Sequence, residues 1–366
     1  MTGNKRNIAV IATPTSPILP HLLHALSHEP AFEIIVLTRK TIIEIPFTTS
    51  AAHSSSHSHS HEEEIKTPPT AASTNGHRDH DHTSTSVIKH IQTNFSTPHL
   101  TAQLRDTHTI ICLLHGSDVH LQSDLISLCT SPAIANARFF IPSEYGLDTS
   151  NPQIRSLLPP YATRFAVQEK LRSSFTCSGE GGGGGRILRY KAIYCGLCLE
   201  ESLKADGVLG IDVLWASLSS FPGTSGTKLA ISNCADIAGQ IVGVVLEDDD
   251  DGEMPSGGKG NEIYKSGFRA TLDEVVKVVE ETLDKPLDRY EADFQGARKE
   301  ARERMKMGFF DGGVSLMGRV AVWDGGVGTW GAWGEDGSGS EGWEEKVRSA
   351  VRDVRGDLVG GAGCGC

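Results

Sequence analysis

In Asn7-Ile8-Ala9-Val10-Ile11 the four residues after Asn7 are an unbroken apolar run short enough for one strand, and its lack of alternation predicts a strand covered on both faces. A tight turn follows, and then Leu19 to Leu26 carries apolar residues at helical spacing before a second apolar strand, Glu33 to Leu37. The chain between the strands suffices for one crossover helix, so the two strands run parallel. The alternation resumes with Val87 to Ile91 as strand, Thr97 to Leu104 as helix, Thr109 to Leu114 as strand, Val119 to Leu128 as helix and Arg138 to Ile141 as strand. Helix Tyr161 to Ser173 and strand Ile187 to Ile193 continue it. Alternation of this length predicts an α/β fold with a doubly wound parallel sheet. Further on, Ala235 to Leu246, Thr271 to Leu283 and the highly charged Asp293 to Met307 read as helices of a smaller C-terminal α/β lobe. The expected division is 1–195 for the sheet domain, 196–345 for the lobe, with elements returning to the sheet, and 346–366 for a flexible glycine-rich tail.

Three tracts interrupt the pattern. Residues 48–86 are Ser, Thr, His, Pro and acid, with His57, His59 and His61 alternating with serine. Such a segment has too little apolar surface to offset its ordering entropy and reads as a disordered insertion; weak metal binding by its histidines is the lesser alternative. Gly181 to Gly185 and the polar stretch 247–261, with Asp248 to Asp251, read as surface insertions, the acids being solvated rather than metal ligands. No metal site is expected. Trp323, Trp330 and Trp333 stand among glycines, where they pack a C-terminal extension or close over a pocket.

Charge narrows the function. With 34 Lys and Arg against 46 Asp and Glu, the net charge of -12 offers no field for a nucleic acid backbone or an anionic membrane. No apolar stretch reaches the roughly 18 residues of a membrane span, and the N-terminal apolar run flows into a strand without a cleavage-site pattern, so a cytoplasmic location is expected. The eight cysteines are scattered in apolar contexts and read as reduced thiols. Cys195-Gly196-Leu197-Cys198 has redox-motif spacing but follows a strand, which favours packing or pocket lining. Cys364-Gly365-Cys366 reads as part of a frayed tail rather than a lipidation signal.

One stretch is more specific. Phe139-Phe140-Ile141-Pro142-Ser143-Glu144-Tyr145-Gly146-Leu147-Asp148 stands where a strand ends, followed by Thr149-Ser150-Asn151-Pro152 and by Val167-Gln168-Glu169 in the next helix. Gly196-Leu197-Cys198-Leu199-Glu200-Glu201-Ser202-Leu203-Lys204, Gly207 to Asp212, Thr227-Lys228-Leu229-Ala230 and Ala235-Asp236-Ile237-Ala238 follow in order. This text resembles the fungal type of the NmrA-like and isoflavone-reductase-like family of atypical short-chain dehydrogenases. The resemblance implies a Rossmann-type fold with an NAD(P)-binding sheet domain and a substrate lobe. It also implies NADP as cofactor and an NADPH-dependent reduction of a small aromatic or polyketide-type secondary metabolite.

The family binds its nucleotide at the first β-α turn, which here reads Ala12-Thr13-Pro14-Thr15-Ser16-Pro17-Ile18 and contains no glycine. Thr13, Thr15 and Ser16 are the remaining donors for a pyrophosphate. Arg39 and Lys40 end the second strand, where relatives meet the 2'-phosphate of NADP; two solvated cations opening a polar loop is the alternative. His115 would lie beside the nicotinamide, or be merely a hydrogen-bonded strand end. The catalytic lysine of the family falls, by the spacing Arg164, Val167, Leu171, on Arg164, which stays charged and can orient or stabilise an anion but not shuttle a proton. Tyr161 is followed four residues later by Phe165, so the Tyr-x-x-x-Lys pair of ordinary short-chain dehydrogenases is absent. The missing glycines and lysine keep a second reading open: an NmrA-like nucleotide-sensing protein with a regulatory protein partner, or a catalytically degenerate scaffold.

Overall fold

The structure, a computed structural model, describes residues 5–40, 88–176, 188–248, 260–324 and 342–361. The first strand, β1 (Arg6–Ala12), is buried from Ile8 onward and pairs in parallel with β2 (Phe32–Thr38) on one side. Helix α1 (Ile18–Ser27) crosses between them, held down by Leu19, Leu22, Leu23 and Leu26. Strand β3 (Ile88–Gln92) extends that edge, and α2 (Thr97–Leu104) carries the chain back over to β4 (Thr109–Leu113), on the other side of β1. A 3-10 turn and α3 (Leu121–Cys129) lead to β5 (Phe139–Ile141), then α4 (Pro152–Leu157) and α5 (Pro159–Thr176) lead to β6 (Arg189–Tyr190). The sheet order β3-β2-β1-β4-β5-β6 is that of a doubly wound Rossmann-type sheet, with its switch of direction between β1 and β4. Apolar side chains fill both faces, as a parallel sheet requires.

The expected strand Ile187 to Ile193 is two strands. Lys191 N–H still reaches Phe140 of the large sheet, at 3.2 Å, but Ala192 N–H turns to Asn261 at 2.8 Å. From there β7 (Ala192–Tyr194) pairs with a strand of the second lobe. That lobe continues as β8 (Leu197–Cys198), the short α6 (Leu199–Ser202), β9 (Ile211–Asp212), β10 (Ser217–Ser220), β11 (Lys228–Ser232) and α7 (Cys234–Glu247). It ends with β12 (Glu262–Tyr264), β13 (Phe268–Thr271), α8 (Leu272–Leu283), β14 (Asp288–Glu291), α9 (Phe294–Lys306) and α10 (Phe310–Trp323). Three small sheets result, β12-β7, β13-β11-β8 and β14-β10-β9. Helix α7 returns to pack on α1, its first turn fixed by a capping box in which Asn233 accepts from Asp236 N–H at 2.7 Å. Trp323 ends α10 buried, donating to the Val208 carbonyl at 3.2 Å, which is the packing role.

The tail reading needs correction. Trp343–Gly361 is a helix, α11, lying against α8, with Val347, Ala350, Val351 and Val354 all buried. That spacing is one helical stripe, and Lys346 pins the helix by an ion pair of 2.7 Å to Asp236 in the first turn of α7. The glycines that follow the stripe obscured it in the sequence. Among the described residues no helix is long and apolar enough to cross a membrane. The tracts 48–86 and 181–185, most of 247–261, Trp330, Trp333, Cys364 and Cys366 lie outside the described residues.

The packing of α11 predicts that Val351→Ala destabilises the protein by about 2 kcal/mol in urea unfolding, the loss of two buried carbons and the space they leave. The exposed neighbour Arg352→Ala should stay within about 0.5 kcal/mol. Equal, negligible effects at both positions would return 343–361 to the status of a frayed tail.

Candidate functional site

At the C-terminal ends of β1 and β4 the crossovers leave in opposite directions and open a crevice, the place where doubly wound sheets receive ligands. A cavity of about 310 Å³ occupies it, lined by Thr15, Ser16 and Ile18 from the start of α1, His115 after β4, Ser143 and Tyr145 after β5, and Arg164 from α5. A second cavity, of about 340 Å³, adjoins it toward the lobe. The two share Tyr145, Arg164, Cys198 and Glu201, and Leu147, Leu158, Tyr161 and Val208 give the inner one its apolar wall. An outer chamber at a helix N-terminus opening into an inner one against the lobe can seat an elongated, partly charged ligand.

Four of the expected site residues, Thr15, Ser16, His115 and Arg164, therefore meet around one space. Thr13 does not face it. Its hydroxyl accepts the His115 N–H at 3.1 Å and its own N–H donates to the Leu113 carbonyl at 3.1 Å, so Thr13 clasps the ends of β1 and β4 together. Its N–H is therefore taken up by the backbone, while the hydroxyl that accepts from His115 keeps its own O–H to donate; Thr13 is not among the residues lining the cavity. The Ser16 N–H is likewise used, on the Thr13 carbonyl at 2.9 Å, which leaves the Ser16 side chain facing the cavity. Arg39 and Lys40 sit at the end of β2, outside the residues lining the two cavities. Arg39 lies over the Phe95 ring and forms an ion pair of 3.2 Å with Asp118. With the Arg39 side chain 45% exposed, that pair is worth only about 0–1 kcal/mol and yields readily to a better anion.

His115 also meets Thr15, Nε2 to Oγ1 at 3.3 Å. Burial pushes its imidazole below the usual range, and Arg164 works the same way against Glu201 and Asp118, so the ring is neutral at neutral pH. Arg164 is set on α5, which follows α4 after the short break at Leu158; the prolines at 152 and 159 open the two helices, and Asn151 caps α4 by accepting from Gln153 N–H at 2.9 Å. The guanidinium stands 5.2 Å from the Tyr161 ring centroid, and its Nε is buried without a hydrogen-bond partner among the described residues. The Tyr145 hydroxyl is also shut off from solvent with no partner among the described residues.

Behind Arg164 lies a group the sequence reading passed over. Glu144 is buried, accepting from the Thr149 hydroxyl at 2.9 Å, and Gln168 donates to Thr149 and to the Tyr194 hydroxyl, each at 2.6 Å. Burial pushes the Glu144 carboxyl up to about 7, against the opposing pull of Arg164 and of its hydrogen bonds. An acid inside the apolar run from Phe139 to Leu147 was the available signal, since an ionisable side chain there has no route to solvent. Tyr161 precedes Arg164 by one helical turn on α5, so helical spacing alone sets the two side by side, whereas only the tertiary fold brings Glu201 to Arg164.

Glu144 binds its proton more tightly in the folded state than in the unfolded one, so its contribution to stability is complete below about pH 4.5 and falls as pH rises toward 7. The expected loss is about 3 kcal/mol at most, and Glu144→Gln should remove it, gaining on the parent protein in denaturant midpoint between pH 5 and pH 8. A midpoint difference that stays constant over that window would show that Glu144 ionises normally.

No family model matches the chain, and no curated protein matches it. Solved structures do resemble it. A structure of AtPrR2 with NADP+ and (+)-pinoresinol is 13% identical, with 96% of this chain and 99% of the other covered at a TM-score of 0.60. The leucoanthocyanidin reductase–NADPH binary complex from Vitis vinifera is 12% identical, with 94% and 99% covered at a TM-score of 0.59. An isoflavone reductase is 14% identical, with 89% and 90% covered at a TM-score of 0.54. Coverage of nearly the whole of each chain, lobe included, gives this protein the mixed α/β, Rossmann-type architecture of those reductase structures.

Proposed function

We propose that the protein is an NADPH-dependent oxidoreductase that reduces a small aromatic or polyketide-type molecule. The observation that carries this reading is the two-chambered cleft at the β1–β4 switch point, with Arg164 standing where the chambers meet. Its support from outside is the solved structures of the same architecture, among them NADPH-bound leucoanthocyanidin reductase and AtPrR2 with NADP+ and pinoresinol.

The residues present fit a phosphate-bearing nucleotide, through a different donor set from a glycine-rich loop. Hydroxyls of Thr15 and Ser16 face the outer chamber at the N-terminus of α1, whose first turn carries no acid. Arg39 and Lys40 supply two cations at the end of β2 for a 2'-phosphate, Arg39 leaving Asp118 to meet it. NADPH held there would supply a hydride. The inner chamber, walled by Leu147, Leu158, Tyr161 and Val208, takes a flat apolar ring system. Arg164 faces both chambers and stabilises the negative charge that grows on a carbonyl oxygen as its carbon is reduced. Arginine does not release a proton, so the proton that completes the alcohol comes through His115, whose neutral ring accepts on one nitrogen and gives from the other, with Thr15 as its hydroxyl partner.

A second reading rests on the clasp made by Thr13 and on arginine rather than lysine at 164: the chain binds the nucleotide as a sensor, with a regulatory protein partner and slow or no turnover. The same experiment separates the two. Titration with NADPH and NADH should give micromolar affinity for NADPH, weaker binding of NADH, and at least about tenfold weaker NADPH binding in Arg39→Ala. Arg164→Lys should leave that affinity unchanged, and His115→Ala should lower turnover of an aromatic carbonyl substrate by about 10²-fold, since it removes the group that passes the proton. Tight NADPH binding without turnover selects the sensor, and no binding at millimolar nucleotide removes both readings.

A further inference from the structure

Beside the inner chamber, three side chains of metal-ligating type converge from two backbone stretches. Cys198 ends β8, Glu200 lies in the first turn of α6, and Cys234 opens α7. One ligand atom of each lies within 4.8 Å of the others. Cys198 Sγ is 3.8 Å from Cys234 Sγ and 3.6 Å from Glu200 Oε2. A tetrahedral zinc ion, with bonds of about 2.3 Å to sulfur and about 2.1 Å to oxygen, sets its two sulfurs about 3.8 Å apart and a sulfur and an oxygen about 3.6 Å apart. Two edges of the coordination tetrahedron are thus already at their bonded lengths.

The framework that holds these groups is rigid. Cys198 is fixed by the pairing of β8 with β11, where it stands opposite Ser232. Gly196, at φ +79, lets β8 pass so near β11 that a Cβ there would lie 2.2 Å from the Ala230 carbonyl oxygen. Cys234 follows the capping residue Asn233. Glu200 is oriented by its other oxygen, which accepts the Cys234 N–H at 2.8 Å, the kind of outer hydrogen bond that aims a metal-binding carboxylate. The N-terminus of α7 offers its positive end to thiolates at this place, offsetting the excess negative charge of two sulfurs and a carboxylate around a dication.

We propose that Cys198, Cys234 and Glu200 bind a thiophilic, tetrahedral divalent cation of the zinc class, with the fourth coordination position on the side of the cleft that Cys198 lines. Soft thiolates select such a metal over magnesium or calcium, and three protein ligands leave one position for water or for an oxygen or nitrogen of a bound molecule. The site is independent of the nucleotide reading, since none of its three ligands serves the nucleotide.

The test is titration of the full-length, reduced, chelator-treated protein with Co²⁺, followed by competition with Zn²⁺. The expected result is one cobalt per chain, with sulfur-to-cobalt charge transfer in the near ultraviolet and tetrahedral bands in the visible, all lost on adding zinc. Cys198→Ser and Cys234→Ser should each abolish the charge-transfer band, and Glu200→Gln should keep the fold, read by circular dichroism, while weakening affinity about tenfold or more. Histidine-bound cobalt gives no sulfur band, so the histidine tract at 48–86 does not imitate the result. Absence of the band at millimolar cobalt would overturn the proposal, as would a band of undiminished affinity in the Cys198→Ser/Cys234→Ser double variant or in Glu200→Gln. A reduced chain that binds no cobalt but loses two hydrogens to mild oxidant, mapped by mass spectrometry to a Cys198–Cys234 bond, would replace it with a disulfide pair.

Discussion

Strand β1 has no free edge and no free face: Ile8 to Ala12 are buried, β2 pairs on one side and β4 on the other. Because the chain leaves β1 toward β2 and returns beyond it to β4, nothing covers the ends of β1 and β4, and the crevice there is a consequence of topology rather than of any one side chain. Thr13 then fixes the width of that crevice by binding Leu113 and His115 across it. His115, Thr15 and the start of α1 take their positions from this clasp. A looser joint between β1 and β4 would move every polar group of the outer chamber at once.

On the far wall, the same economy of contacts works through charge. Arg164 is held against the aromatic face of Tyr161 rather than in a surface ion pair, and Glu144, an acid that interacts with it, is buried with its carboxyl pushed up to about 7. The cation therefore keeps much of its field for whatever occupies the cleft. The cost is borne by the fold, which loses stability as Glu144 is forced to ionise. Residues that weaken a protein in this way are concentrated at sites of chemistry, which agrees with the place Arg164 holds between the two chambers.

The alternating strands and helices of the large sheet were legible because burial on both faces writes continuous apolar runs, as in Asn7 to Ile11 and Thr109 to Leu114. The break at Lys191 was not, since only the approach of Asn261 redirects the chain. The α11 stripe at 347, 350, 351 and 354 was present in the sequence but shadowed by neighbouring glycines. At the site, Thr15, Ser16, His115 and Arg164, picked out by the family resemblance, line one cavity, whereas the clasp made by Thr13 depends on a partner about a hundred residues away. The pairing of Cys198 with Cys234 is of the same kind: the sequence offers Cys195 as the nearer partner, but Cys195 points to its own strand and is buried apart.

The account turns on a nucleotide lying across the ends of β1, β2 and β4, and hydrogen exchange with and without NADPH reads this directly. Slowed exchange confined to amides of 15–19, 39–40 and 114–118, with the β14-β10-β9 sheet unchanged, is the predicted result. Protection absent from 15–19, or appearing only in the C-terminal lobe, would contradict it.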